Sequence, residues 1–319
     1  MKNILLLSFL LLFTAGLNAA ESVDKTLPAD MNGRVSIEHH SGKAVIRTWD
    51  KPQVKVTGTL DSRAKGFIFE TRGNEIRIEV EMPRNYQNGS NWLNWDKEED
   101  NLEIFLPADS FVEYENINAE LDAKDIRGGV DLSSVNGDIR VTDLQGRIRI
   151  STVNGDIRSQ DLNGNINLNT VNGDIKDRDS RGEEIVYESV NGDIRADTQI
   201  PRVKLETVNA DSELKMGRVE QLKASNVNGD TSVRLELAEG GEVKASSVSG
   251  RLELRFQKEV SARFDIEGHA GGDLRNKLTD DKQGKAKYGP SRWLKFSTKE
   301  GSGRVNVSTV SGTVVLSSY

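Results

Sequence analysis

Apolar and polar residues alternate along most of the chain with a period of two. Ile139 and Val141, Ile148 and Ile150, and Ile166 and Leu168 are separated by Arg140, Arg149 and Asn167, which is the pattern of strands with one buried face and not of helices. The alternation is itself periodic. VNGDI or a close variant begins at Val135, Val153, Val171, Val190, Val208, Val227 and Val248, at spacings of 18, 18, 19, 18, 19 and 21 residues. A second element, LQGRI at Leu144 and LNGNI at Leu162, falls halfway between the first copies. The unit is therefore about nine residues used twice, each half a turn followed by a short strand.

Two all-β architectures share this period: an antiparallel meander with Asn-Gly hairpins, and a parallel β-solenoid in which each coil stacks on the last. A meander leaves one apolar face bare, and the chain offers no amphipathic helix to cover it. A solenoid covers itself, because Val135, Ile139, Leu144 and Ile148 can all point into one narrow interior that the next coil continues. Strands of a membrane barrel need roughly 9–11 residues, about twice the length of these. The pattern predicts an all-β parallel solenoid (β-helix) of about 18–19-residue coils.

Stacking places the corners in columns. Asn136, Asn154, Asn172 and Asn191 form one, and Asp138, Asp156, Asp174 and Asp193 another. Gly137, Gly155, Gly173 and Gly192, with Gly229 further on, are expected to supply the positive φ of a tight corner. Coils lie about 4.8 Å apart, so unpaired aspartates would repel. Arg140, Arg158, Lys176 and Arg195 each follow an aspartate by two residues and can form a compensating basic column. Turn chemistry and a charge-balanced ladder account for the motif. A calcium row along the aspartates is the alternative, but calcium takes six to eight oxygens, the basic column competes, and the glycine-rich calcium-binding nonapeptide is absent.

Residues 28–118 alternate without the long period, in short strands such as GRVSI at Gly33, EIRIEV at Glu75 and LEIFLP at Leu102. They are expected to cap the exposed edge of the stack, which otherwise invites pairing between chains. After the repeat comes a polar excursion at 280–290, and GSGRVNVSTVSGTVVL from Gly301 then returns to the repeat as a closing coil. The expected organisation is a signal peptide at 1–20, a leading strand region at 21–118 and the solenoid at 119–319. The signal reading rests on Lys2, on the apolar run 4–13 broken only by Ser8, and on the small residues that lead to Ala20. That run is too short for a membrane span of about 20 residues. Cleavage is expected after Ala19 or Ala20. No cysteine follows to carry a lipid, and no transmembrane segment is expected in the mature chain. A periplasmic or secreted protein without a lipid anchor is the expected outcome.

Composition narrows the chemistry. Lys plus Arg number 43 against 50 Asp plus Glu, a formal charge of −7, and no basic block offers the phosphate contacts that nucleic-acid binding needs. With no cysteine in 319 residues, disulfides, thiol catalysis, Cys-ligated zinc and iron–sulfur clusters are excluded. His39 and His40 are strand neighbours that point to opposite faces; with His269 they read as surface residues. No G-x-S-x-G elbow marks a nucleophile. A carboxylate pair for glycosidic cleavage is the stronger enzyme alternative, yet evenly repeated acids read as ladder. No catalytic residue, metal or cofactor is expected. The most irregular segment is NYQNGSNWLNWDKEED, where Tyr86, Trp92 and Trp95 are candidate contacts for a glycan or protein partner; the alternative is that the tryptophans fold back onto the leading sheet or the end coil. Trp49 and Trp293 read as core or cap residues.

Together, the leader, the strand pair GRVSIEHHSGKAVIRTWDKPQVKVTG, the segment LEIFLPADSFVEYE, the serial SVNGDI and TVNGDI units and the closing GSGRVNVSTVSGTVVL resemble the bacterial putative-adhesin domain family of unknown function. The likeness covers roughly residues 28–319. It implies an exported, non-catalytic β-solenoid, an adhesin-like or scaffold protein of the envelope whose partner is an unknown envelope protein or surface glycan. It carries over no catalytic residues. Two departures stand out: VNGD is commoner here than VSGD, and the segment 85–100 is an insertion. The alternatives are a carbohydrate-binding or polysaccharide-cleaving β-helix and a calcium-organised extracellular repeat.

Overall fold

In a computed structural model of the chain, which describes residues 21–83 and 99–319, the described residues form 24 strands and no helix. None of it is a helix long and apolar enough to cross a membrane.

Each coil gives one strand to each of two parallel sheets that enclose the core. On one sheet Ile148 lies in register with Val130 before it and Ile166 after it, and Ile150 with Leu132 and Leu168. On the other, Ile157 lies between Ile139 and Ile175. These pairings are parallel and one coil apart, as a solenoid requires and a meander forbids. Like stacks on like in consequence, and Leu144, Ile148, Ile150, Ile157 and Leu162 are at most 1% exposed in one continuous apolar core.

The chain does not run through the stack from end to end. Arg34–Trp49 is itself a full coil, paired in parallel with Phe111–Lys124 from Arg34 opposite Phe111 to Ile46 opposite Ala123. Its other side takes Glu75–Glu81 and Asn101–Pro107, again in parallel. Beyond these the direction reverses: Gly66–Arg72 runs antiparallel to the first, Gln53–Thr59 antiparallel to the second, and Ser22–Pro28 antiparallel to Gln53–Thr59. The segment 28–118 thus contributes a coil as well as the strands that close the end.

The far end repeats the device. The closing coil, read from sequence as the last, lies inside the stack: Gly303–Thr309 sits between Thr231–Ser247 and Ala262–Gly268, and Thr313–Ser318 between Arg251–Phe256 and Asp273–Asn276. Arg292–Thr298 closes that edge antiparallel to Ala262–Gly268. A reversed strand interrupts the translation that builds the stack at the near end and, on one of the two sheets, at the far end; the other sheet ends there in Asp273–Asn276, parallel to Thr313–Ser318.

Candidate functional site

The motif [ST]-V-N-G-D-I resolves into one role per position. The Ser or Thr points inward, and its hydroxyl accepts the N–H of the glycine three residues on: Thr152 from Gly155 at 3.1 Å, Thr170 from Gly173 at 3.1 Å, Ser189 from Gly192 at 3.0 Å. This satisfies a buried donor that the sheets cannot reach. The valine turns outward. Val135, Val153, Val190 and Val208 are 38–40% exposed, so the inward role expected for Val135 is corrected: two consecutive residues, Val and Asn, face out where the strand meets the corner and the alternation loses its phase. Each asparagine donates to the side-chain oxygen of the one a coil earlier, Asn154 to Asn136 at 2.7 Å, Asn172 to Asn154 at 2.8 Å and Asn191 to Asn172 at 2.8 Å.

The corner glycine serves a different need from the one expected. Among Gly137, Gly155, Gly173, Gly192 and Gly229, only Gly229 has a positive φ. The others are required by space, because a Cβ on Gly155 would stand 2.1 Å from the Gly137 carbonyl oxygen, and one on Gly173 1.9 Å from that of Gly155. Positive φ belongs to the opposite corner, at Asp125, Asp143, Asp161 and Asp179, a conformation that aspartate tolerates better than most residues.

The aspartate column is bonded along its length. Asp138 accepts the Asp156 N–H at 3.0 Å, Asp156 that of Asp174 at 2.9 Å and Asp174 that of Asp193 at 3.1 Å. Arg158 spans two steps, to Asp138 at 2.8 Å and Asp156 at 2.6 Å, while Arg140, Lys176 and Arg195 pair at 3.4–3.5 Å with the aspartate two residues before each. Partial burial works against the charged form of Asp138, but the Asp156 N–H and Arg158 outweigh it and hold the carboxyl below its ordinary range. Carboxylate oxygens so engaged are poor calcium ligands, and among the described residues no three acids or histidines converge on a metal position.

Two buried polar clusters escaped the sequence reading. His39, read as a surface residue, is 2% exposed: its Nε2 lies 3.2 Å from Asp100 Oδ2 and its Nδ1 2.9 Å from the Tyr114 hydroxyl. Asp100 also accepts the Asp61 N–H. His40 is half-buried and His269 exposed. Asp177 lies inside the solenoid and accepts hydroxyls from Ser159 at 2.7 Å, Ser180 at 2.6 Å and Tyr187 at 2.6 Å. Burial raises its pKa above the ordinary aspartate value, with the three hydroxyls acting the other way. Burial, then the nearby Asp177 charge, raises the Tyr187 phenol. The signal that could have exposed Asp177 is its place at an inward position of the alternation.

Outward side chains also form columns. On one sheet Lys204, Lys223 and Lys244 are in register, followed by Asn306 and Asp265. Two residues further along each strand stand Glu206, Ser225, Ser246, Ser308 and Glu267. Together they line a groove of about 610 Å³. Trp293, expected in the core or cap, is 42% exposed and lies opposite Glu267 at the end of the second column. Trp49 is half-buried and stacks on Phe105 at 5.5 Å. Beyond the serine column, a second groove of about 510 Å³ runs along the valines from Val190 to Val310. Tyr86, Trp92 and Trp95 lie outside the described residues, as does the segment 1–20.

The family model described as Toastrack DUF4097 matches residues 32–317, and the chain belongs to that family, in agreement with the likeness carried by its serial VNGD units. Among curated proteins none matches. Among solved structures, a putative cell adhesion protein from Clostridium sporogenes matches at 9% identity and a TM-score of 0.25, over 94% of this chain and 100% of its own. A putative lipid binding protein from Parabacteroides distasonis matches at 10% identity and a TM-score of 0.46, over 93% of this chain and 96% of its own.

Proposed function

We propose that this Toastrack chain is an exported, non-catalytic β-solenoid that serves the cell envelope as an adhesin-like or scaffold module, with its outer walls meeting an envelope protein or a surface glycan. The observation that carries the reading is the state of the corner acids. Each aspartate of the column accepts a backbone N–H from the next coil, and Arg and Lys lie beside the first four. Acids engaged in this way hold the stack together, and the long regular faces remain for a partner. The N-terminal leader supports a periplasmic or secreted location.

Cell fractionation followed by mass spectrometry of the N-terminus tests the location. The processed chain should begin at Ala20 or Glu21, and an intact Met1 in a clean periplasmic fraction overturns export. Capture from envelope extract with the purified chain tests the role, with specific retention of a protein or glycan expected. Carbohydrate binding has one observation in its favour, the groove where Ser225, Ser246 and Ser308 alternate with Lys223 and Lys244 and lead towards Trp293. A glycan array read with and without Trp293→Ala tests it.

A further inference from the structure

We propose that two copies of this chain pair side by side through the outward valine column, with their coils running parallel. The chain is 29% charged, yet one stripe of its surface is almost free of charge. The valine column is uncharged from Val135 to Val310. So is the neighbouring corner column, which is asparagine from Asn136 to Asn228 and ends in Ser249 and Ser311. The column on the other side, from Ser133 to Ser308, is charged only at Glu188 and Glu206. Depletion of charge, more than hydrophobicity, marks the centre of a protein interface. Among the described residues nothing covers the stripe.

Spacing selects the occupant. Side chains of one column recur at about 4.8 Å along the stack, whereas those on one face of a free strand recur at roughly 6.7 Å and drift out of step within two or three residues. A second copy has the same repeat, so its valines can meet these one for one along the whole length. Counted from Val135 to Val310, seven steps make a stripe about 34 Å long. With three columns spanning about 14 Å, it offers roughly 480 Å² a side and about 950 Å² in all, below the roughly 1,200–2,000 Å² of stable interfaces and in the range of weak, transient ones. The dimer is therefore expected to depend on concentration. Direction follows from the flanks. A two-fold axis along the stack places each valine on its own copy and sets the serine column against the asparagine column, donors facing acceptors, with Glu188 near the partner's uncharged asparagines. The antiparallel alternative sets the serine column, with its Glu188 and Glu206, against itself. The proposal is independent of export and of any envelope partner.

Sedimentation velocity of the purified chain from low to high micromolar concentration tests it, together with Val227→Asp. This variant should sediment as a monomer while keeping the wild-type melting temperature, since Val227 faces outward. Packed sheet faces stand about 10 Å apart, beyond disulfide reach, so Val153→Cys and Val248→Cys are each treated with a short bis-maleimide in a chain that has no other cysteine. Parallel pairing brings each position to its own copy, and both variants should yield cross-linked dimer. A wild-type monomer throughout, a Val227→Asp dimer, or failure of either cysteine to cross-link overturns the proposal.

Discussion

Replacing Gly173 by Ala tests whether corner glycines are required by space or by backbone conformation. The added Cβ would stand 1.9 Å from the Gly155 carbonyl oxygen and 2.5 Å from its carbon, so the coils would have to part by about 1.5 Å to restore ordinary contact. They cannot part without cost, because Asn172 donates to the Val153 carbonyl at 2.8 Å and Ile157 to the Asp174 carbonyl at 2.9 Å on either side of the corner; a separation of that size would break such bonds. The obstacle is backbone and cannot turn aside, which puts the cost at the upper end of overpacking, about 3 kcal/mol. For a chain of this size that is a fall of roughly 5 °C in melting temperature. Gly240 is the control: its φ is +71° and nothing lies within 4 Å of its missing Cβ, so Ala costs only about 1–2 kcal/mol of left-handed backbone. Asn separates the two causes. It tolerates the left-handed region and should recover most of the loss at Gly240, but none at Gly173. Thermal melts followed by circular dichroism, with hydrogen exchange coil by coil, measure both sites. A Gly173→Ala variant that melts with the wild type, or a Gly173→Asn variant milder than Gly173→Ala, refutes the spatial argument.

Asp177→Ala should cost about 1–3 kcal/mol, because it leaves the hydroxyls of Ser159, Ser180 and Tyr187 without their buried acceptor. Asp177→Asn adds a pH signature. Burial raises the folded pKa, so above the unfolded value of about 3.9 the native state holds a proton that the unfolded chain has released, and this group's contribution to stability falls as pH rises until the folded carboxyl also ionises. The melting temperature of Asp177→Asn minus that of wild type should therefore grow from pH 4 to 7, and a constant or shrinking difference would contradict it. Millimolar calcium should shift the melting temperature no more than matched magnesium, since the aspartates already hold N–H groups and arginines; a calcium-specific rise would mean binding to the folded state. Joint Trp92→Ala and Trp95→Ala replacement should either abolish capture of a partner at unchanged stability or, if the rings are packed, cost roughly 3–5 kcal/mol each. An assay that moved neither readout would remove both from consideration.

By itself the amino-acid sequence determined the strand period, the 18–19-residue coil, the parallel solenoid and the columns of identical corner residues. All of these follow from one local rule, that alternation sets which face is buried and repetition sets what stacks on what. Where that rule loses its phase, only the tertiary structure decided. At the corner two successive residues face outward, so Val135 left the core that strict alternation assigned to it. The role of Gly155 depended on how near the Gly137 carbonyl comes, a distance between coils that no local pattern encodes. The ends depended on contacts remote in the chain: a closing coil threaded beneath Ala262–Gly268, and His39 buried against Asp100 and Tyr114, are settled by which strands meet, because pairing energy depends on the partner that arrives and not on where it lies in the sequence.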